Sequence, residues 1–422
     1  MSEMTVQQIK SKRMVYLAAS TFTLLFLGLI YAFSMYAAPM CATFGLEKSQ
    51  IGLTFNIMMI AFCVGCIGGA FIEKRVGVKI CIIIAAILFA IGFIGTAMLA
   101  NGNIMIVYGF YGICAGAGVG IGYNSIIATT NVWFPDKVGF SSGVLMMGFG
   151  LASLIMGTLS VNIYNSGVPL PTVFIGVGVI GGIITVICGL ILRRPPADIV
   201  QLMCPDRASA SGYDPADEDS PLKTPLFYIY WVWAIIVIAI GLATIGNCAS
   251  DALLVGWDVG FATLLVGLVS TCNGLARVVI GMIYDKTNVK VTMFVDGLVA
   301  LIAVACISGA FMTGIPVLYV VGALCCGFCY GGVPVVASAF ARQRFGAKNY
   351  PVNLSIINFG IVFASLLNIT IQSAVGGDSR LSVFLVLVVL AVIAVLDVLV
   401  FSKMFNKSQE DLEARRAAHE AQ

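Results

Sequence analysis

Twelve stretches of this sequence are apolar over about 20 residues or more, and no other feature narrows its possible folds as much. They fall at 14–38, 49–72, 79–100, 104–130, 138–164 and 172–192, and then at 226–249, 260–283, 291–312, 315–341, 351–374 and 381–404. A hydrocarbon core of about 30 Å takes about 20 helical residues to cross, so each run is a membrane span. Composition agrees: 60% of residues are hydrophobic and 10% charged, too few polar groups to coat a water-facing globule. The expected fold is an all-α membrane protein of twelve transmembrane helices.

Between the sixth and seventh runs lies a polar stretch, 193–224, holding Arg193, Arg194, Pro195, Pro196, Asp214, Asp217, Glu218, Asp219 and Lys223. Such a segment cannot cross hydrocarbon and reads as a flexible surface connection. The organisation expected is therefore 1–192 as an N-terminal six-helix half, 193–224 as a linker, 225–404 as a C-terminal six-helix half and 405–422 as a tail. Of 23 Lys and Arg, 20 fall in the two tails and the even-numbered loops, and Lys48 and Arg380 alone fall in odd-numbered ones. That asymmetry predicts cytoplasmic linker and termini, in the inner (cytoplasmic) cell membrane. Met1 to Arg13 is polar and the first run is too long for a signal-peptide core, so no cleavable signal is expected.

The halves repeat. Gly69 with Glu73-Lys74 recurs as Gly281 with Asp285-Lys286, at an offset of 212. Tyr108, Gly116, Gly120, Phe134 and Lys137 recur as Tyr319, Gly327, Gly331, Phe345 and Lys348, at an offset of 211. Two halves that start on the same membrane side are parallel repeats about an axis along the membrane normal, the plan by which secondary transporters enclose a central cavity. The Gly116-x-x-x-Gly120 and Gly327-x-x-x-Gly331 pairs read as sites of close helix packing.

Chemistry is sparse. His419, the one histidine, lies in the tail, so no histidine metal site, triad or proton relay is expected. The cysteines read as small packing residues; Cys63 and Cys66 have C-x-x-C spacing but sit mid-run without further ligands. Neither H-E-x-x-H nor G-x-x-x-x-G-K occurs. We therefore expect no enzyme, no cofactor, no metal and no nucleic-acid partner. A non-transporting sensor is disfavoured because the linker and tail are short.

The two loop segments, Gly69-x-x-x-Glu73-Lys74 and Gly281-x-x-x-Asp285-Lys286, resemble the gating loop motif of major facilitator superfamily transporters, with Glu73 in place of Asp and Asn288 in place of a Gly. Asn131-Val132-Trp133-Phe134-Pro135-Asp136-Lys137 with Ser142-Gly143, Lys223-Thr224-Pro225-x-Phe227, and Lys348-Asn349-Tyr350 are similar to the oxalate/formate exchanger family. The resemblance implies an organic-anion carrier. Trp133 to Lys137 also reads as an interfacial aromatic followed by a helix stop.

Arg277 is the one Lys or Arg deep inside an apolar run, eight residues before Asp285, or about 12 Å of helix. Its insertion cost, about 2.5–3.5 kcal/mol on the lenient scales, must be offset by an internal partner or by a substrate anion. Asp296 and Asp397 are the acidic residues well inside runs, and both lie toward a cytoplasmic boundary, where Lys290, Lys403 or a neighbouring polar loop is the expected partner. A carboxylate matches the guanidinium fork in a bidentate pair. The resemblance implies that Arg277, on helix 8, binds substrate carboxylate, and that Tyr31, Tyr123 and Tyr330 line the cavity. Phe149 stands where the oxalate carrier of that family has Tyr, Cys326 where it has Trp, and Ile357 where it has a second cation, a Lys. One cation matches a monoanion, which favours formate, lactate or pyruvate over oxalate. Each tyrosine could equally serve helix packing, and Asn124 and Asn273 could equally hydrogen-bond between helices. Proton-coupled relatives often carry Asp where this chain has Asn273, so exchange is expected first, with proton symport or oxalate/formate antiport as alternatives. The partners expected are the lipid bilayer and a small carboxylate, around a monomer.

Overall fold

The computed structural model describes residues 6–196, 198–204, 214–245, 247–375 and 379–420. Arg207, one of the linker cations, lies outside them. Among the described residues, eleven helices are long and apolar enough to cross a membrane. One of these contains two spans: helix Lys48–Leu99 is broken at Gly77, whose φ of 82° is open to glycine at little cost. The twelve spans are thereby accounted for. In the numbering used below, α1 is Val6–Ala32, continued by Phe33–Phe44; α2 and α3 are 48–76 and 78–99; α4 is Ile104–Val132; α5 is Val138–Asn165; and α6 is Leu170–Ile191. They are followed by α7 Pro225–Ile245, α8 Val259–Lys286, α9 Val289–Thr313, α10 Pro316–Phe345, α11 Tyr350–Val375 and α12 Arg380–Glu420.

The chain divides into two compact units. The first comprises Met1–Pro135 and Val144–Met203, the second Asp136–Gly143 and Cys204–Gln422. The connection into α5 thus packs with the second unit.

Within each unit, glycines bring helix backbones into contact. A methyl group at Gly116 or Gly120 of α4 would overlap the carbonyl oxygens of Met58 and Phe62 on α2. A methyl group at Gly327 or Gly331 of α10 would overlap those of Val269 and Asn273 on α8. All four correspondences share the offset of 211, so the internal repeat is a repeat of backbone crossings. On α8 the series continues at four-residue steps: the carbonyls of Arg277 and Gly281 meet Gly143 and Gly139. Small residues suit such a surface because lipid offers no hydrophobic drive for helix association, leaving van der Waals contact as the main attraction.

The expectation of a flexible linker is corrected. Residues 214–224 are not loose: they form short helical turns at Pro215–Glu218 and Pro221–Lys223, with Pro215, Ala216 and Pro221 buried. Asp219 draws this segment down, pairing with Arg344 at 2.5 Å and with Arg415 at 2.9 Å. Burial pushes the Asp219 carboxyl up, but the two guanidinium groups outweigh it and hold it below the usual carboxylate range. α12 continues unbroken through the tail to Glu420.

Candidate functional site

In the first unit, α1 and α5 meet where a side chain on Gly28 would strike the Phe149 carbonyl and one on Gly148 that of Thr21. This close crossing sets Tyr31 edge-on to Phe149, ring centroids 5.4 Å apart. Tyr123 of α4 lies 4.8 Å from Phe149 on another side. Phe62 of α2 completes the group, 5.3 Å from Tyr123 and 6.2 Å from Phe149. Three predicted residues are therefore together, with Phe62 as a fourth that sequence reasoning missed. Phenylalanine is so common in apolar runs that only its place in the repeat, opposite Asn273, could have singled it out. Asn124 is fully buried and donates from Nδ2 to the Cys66 carbonyl at 3.3 Å, so the interhelical reading describes it.

In the second unit, Arg277 is 3% exposed, and its Nε donates to Oδ1 of Asn273 at 3.3 Å, one turn earlier on α8. Gly331 packs against the Asn273 backbone, and Tyr330, the residue before it on α10, packs on Gly241 of α7. Cys326 is fully buried, its Sγ accepting from Thr244 Oγ1 at 3.1 Å, between α7 and α10. Ile357 is buried as well: its carbonyl accepts from Trp231 Nε1 at 2.9 Å, and it lines a small apolar cavity with Tyr230, Pro334, Ala337 and Asn358. Arg277 does not line that cavity.

The loop motifs divide their work. Gly281 meets the backbone of Gly139, and Asp285 accepts from the Gly139 and Phe140 N–H groups at 2.8 and 2.7 Å, capping the start of α5. In the first copy, Gly69 packs on Ile121 and the buried Glu73 accepts from Arg194 at 2.9 Å. Lys74 and Lys286 are exposed. The residues behind the exchanger resemblance are also tied in. Trp133 donates to the Arg193 carbonyl at 2.8 Å and meets Tyr16 edge-on, while Arg13 lies over the Phe134 ring. Ser142, Ser338 and Tyr350 form a hydrogen-bonded chain with steps of 2.8 and 2.6 Å.

The expected pairing of Asp296 with Lys290 is corrected: Lys290 donates to Asn406 Oδ1 at 2.7 Å, while Asp296 is fully buried and neither carboxyl oxygen has a hydrogen-bond partner among the described residues. The span buries Asp296 more deeply than a count of residues from the loop suggests. At the far end of the same unit, Arg380 grips the buried Asp251 with two bonds, 2.8 and 2.5 Å, and also donates to the Ala243 carbonyl. Among the described residues, no three His, Cys, Asp or Glu side chains gather as a metal site.

Comparison with known proteins bears on this architecture. The solved proton:xylose symporter XylE, bound to 6-bromo-6-deoxy-D-glucose, superposes with a TM-score of 0.71 over 92% of this chain and 95% of its own; at 15% identity the likeness concerns the fold. The chain is 23% identical over 364 residues to the uncharacterised MFS-type transporter YhjX of Escherichia coli K12, covering 86% of this chain and 88% of that one. It is 27% identical over 271 residues to the oxalate:formate antiporter of Oxalobacter formigenes, covering 64% of this chain and 62% of that protein. The family model described as Major Facilitator Superfamily matches residues 17–367, a span that includes α8 and both loop motifs. This multi-pass chain of twelve apolar helices, with its glycine crossings in duplicate, belongs to the major facilitator superfamily of transporters.

Proposed function

We propose that this transporter carries small organic anions, monocarboxylates such as formate, lactate or pyruvate, by alternating access and in exchange mode. The observation that carries the reading is Arg277: a guanidinium 3% exposed in the interior of a span, whose Nε donates to Asn273, and a guanidinium fork is the group that matches a carboxylate in a bidentate pair. The similarity to an oxalate:formate antiporter favours organic anions as the class. Monoanions are favoured over oxalate because Ile357 supplies no second charge, and a dianion paired with one cation carries an uncompensated charge into low dielectric.

Exchange follows from the same charge. Arg277 is neutralised when loaded, so the loaded carrier crosses more readily than the empty one, and internal substrate accelerates uptake. The test is a thermal-shift screen of purified protein against small carboxylates, repeated with Arg277→Gln. A monocarboxylate that stabilises the parent and leaves the variant unmoved supports the reading; equal stabilisation of both refutes the role of Arg277. Uptake by Ile357→Lys checks the charge argument, since the added cation is expected to shift preference toward dicarboxylates.

A further inference from the structure

Where α10 ends and α12 continues past its apolar run, the second unit gathers four arginines: Arg342 and Arg344 on α10, Arg415 and Arg416 on α12. Across them lies the acidic turn at residues 214–219, part of the segment that joins the two halves. Asp219 pairs with Arg344 at 2.5 Å and with Arg415 at 2.9 Å, and Asp214 pairs with Arg416 at 3.5 Å. Asp217 accepts from the Lys348 N–H at 2.9 Å. The turn is thus seated as a bound polyanion would be, with three of the four guanidinium groups meeting its carboxylates.

Arg342 is the exception. It is 9% exposed and makes no hydrogen bond or ion pair with any described residue. Asp214 and Asp217 are its electrostatic neighbours, but Oδ1 of Asp214 accepts from the Ala216 N–H and faces Arg416, and Oδ1 of Asp217 is taken by Lys348. The Nε atoms of Arg344 and Arg416 are likewise buried without a hydrogen-bond partner among the described residues. Native structures rarely leave one buried nitrogen unsatisfied, and a buried charge without a partner is more unfavourable still. Three such nitrogens around one turn mark a place with more donors than the turn has oxygens to meet.

Phosphoryl groups supply those oxygens. Each offers several acceptors to a guanidinium fork, and a terminal one brings about 1.5–2 negative charges near pH 7. A ligand that displaces the turn must replace its carboxylates and also meet Arg342, which calls for phosphoryl groups in series and not for a single phosphate. Such a ligand draws Arg344 and Arg415 from Asp219 and Arg416 from Asp214, so its binding releases the turn from α10 and α12 together.

We propose that Arg342, Arg344, Arg415 and Arg416 form a binding site for an anion of two or more linked phosphoryl groups, and that the acidic turn at 214–219 is its built-in competitor. The site is separate from Arg277 and does not depend on which cargo is carried. Binding is by ion pairs and hydrogen bonds, with no covalent change. Because the turn belongs to the segment between the halves, occupancy decides whether that segment is held to the second unit, which makes the site regulatory.

The test uses the purified full chain, with tripolyphosphate as soluble probe at constant ionic strength and orthophosphate and sulfate as controls. Calorimetric titration reads binding, and hydrogen exchange followed by mass spectrometry reads release of the turn. Tripolyphosphate is expected to bind saturably, at least tenfold tighter than either control, and to speed amide exchange in residues 214–223 several-fold. Arg342→Gln is expected to weaken binding about tenfold or more, and to melt within a few degrees of the parent because the lost guanidinium strands no partner. Asp219→Asn weakens the competitor, so it should tighten binding several-fold. Nanodiscs of phosphatidylcholine with and without cardiolipin distinguish the source. Faster exchange on cardiolipin without the soluble probe assigns a lipid headgroup, and an effect of tripolyphosphate alone assigns a soluble ligand. Failure of both to speed exchange, or binding that Arg342→Gln leaves unchanged, overturns the site. Binding that slows exchange in the turn, or that Asp219→Asn does not tighten, overturns the competition.

Discussion

Replacing Gly331 with Ala tests the packing on which the Arg277 site depends. The added methyl would overlap the Asn273 carbonyl oxygen by roughly 1 Å relative to an ordinary C···O contact of about 3.3–3.6 Å. The obstructing atom is backbone, so rotamer changes cannot relieve it and α8 and α10 must separate. Overpacking of this kind costs about 1–3 kcal/mol. For a cooperative unit of roughly 200 residues each kcal/mol lowers the melting point by about 2–4 °C, so a fall of about 2–12 °C is expected in a thermal unfolding scan at fixed rate. Gly267→Ala is the matched control: it lies on α8 with open space around its missing side chain, and better helix propensity offers a gain of up to about 1 kcal/mol. The displaced Asn273 backbone should also weaken stabilisation by lactate or formate in Gly331→Ala and not in Gly267→Ala. The reasoning is refuted if Gly331→Ala melts with the parent, or if the control falls as far.

Asp251→Asn strands the charge of Arg380 beside a buried amide and is expected to cost about 3–5 kcal/mol, whereas the double change Asp251→Leu with Arg380→Met recovers most of it in the same unfolding scan. Asp219 gives a pH signature. Because its folded value is lowered, its stabilisation is complete above the usual carboxylate range near 3.8 and is lost as pH falls through the lower folded value. Asp219→Asn is therefore expected to cost about 1 kcal/mol at neutral pH, the partly exposed bridges being screened, and nothing at a pH below that folded value. Trp133→Phe keeps the ring and loses the bond to the Arg193 carbonyl, an expected loss of about 0.5–1.5 kcal/mol read as a lower melting point.

Much of this architecture was legible from sequence because membrane folding writes it in coarse symbols. A span must be long and apolar, and that pattern located ten of the twelve helices to within about four residues, while α1 starts eight residues before its run and α12 continues sixteen beyond its own; the fused helix Lys48–Leu99 is resolved by the positive φ of Gly77. The glycine pairs were readable for the same reason, since little but backbone approach explains glycine at four-residue spacing in lipid. Contacts made by common residues left no such mark. Phe62 joins the aromatic group of the first unit but looks like any span phenylalanine. Asp296 stands out in its run, yet its depth depends on how α7, α9 and α10 pack, and counting from the nearest charged loop gave it the wrong neighbour. The linker read as a flexible connection because Arg344 and Arg415, the partners of Asp219, are 125 and 196 residues away.

The repeat shows where chemistry was added to the scaffold. Asn273 and Arg277 occupy, at the offset of 211, the positions of Phe62 and Cys66 in the first half. The backbone relations are the same in both: a glycine of α4 or α10 rests against the carbonyl of residue 62 or 273. The side chains diverge completely, Phe62 joining an aromatic group and Asn273 bonding Arg277. Close glycine crossings fix the backbone without using any side chain, so residues on the same turn are free to differ while the helix pair stays the same. A duplicated pair of helices can therefore carry an apolar wall in one half and a buried cation in the other. If that is the division of labour, exchanging the polar pair for its counterparts, as Asn273→Phe with Arg277→Cys, should leave the melting point within a few degrees of the parent while abolishing any carboxylate-induced shift. A variant that unfolds outright would mean that the cation holds the second unit together, and the separation of scaffold from chemistry would be lost.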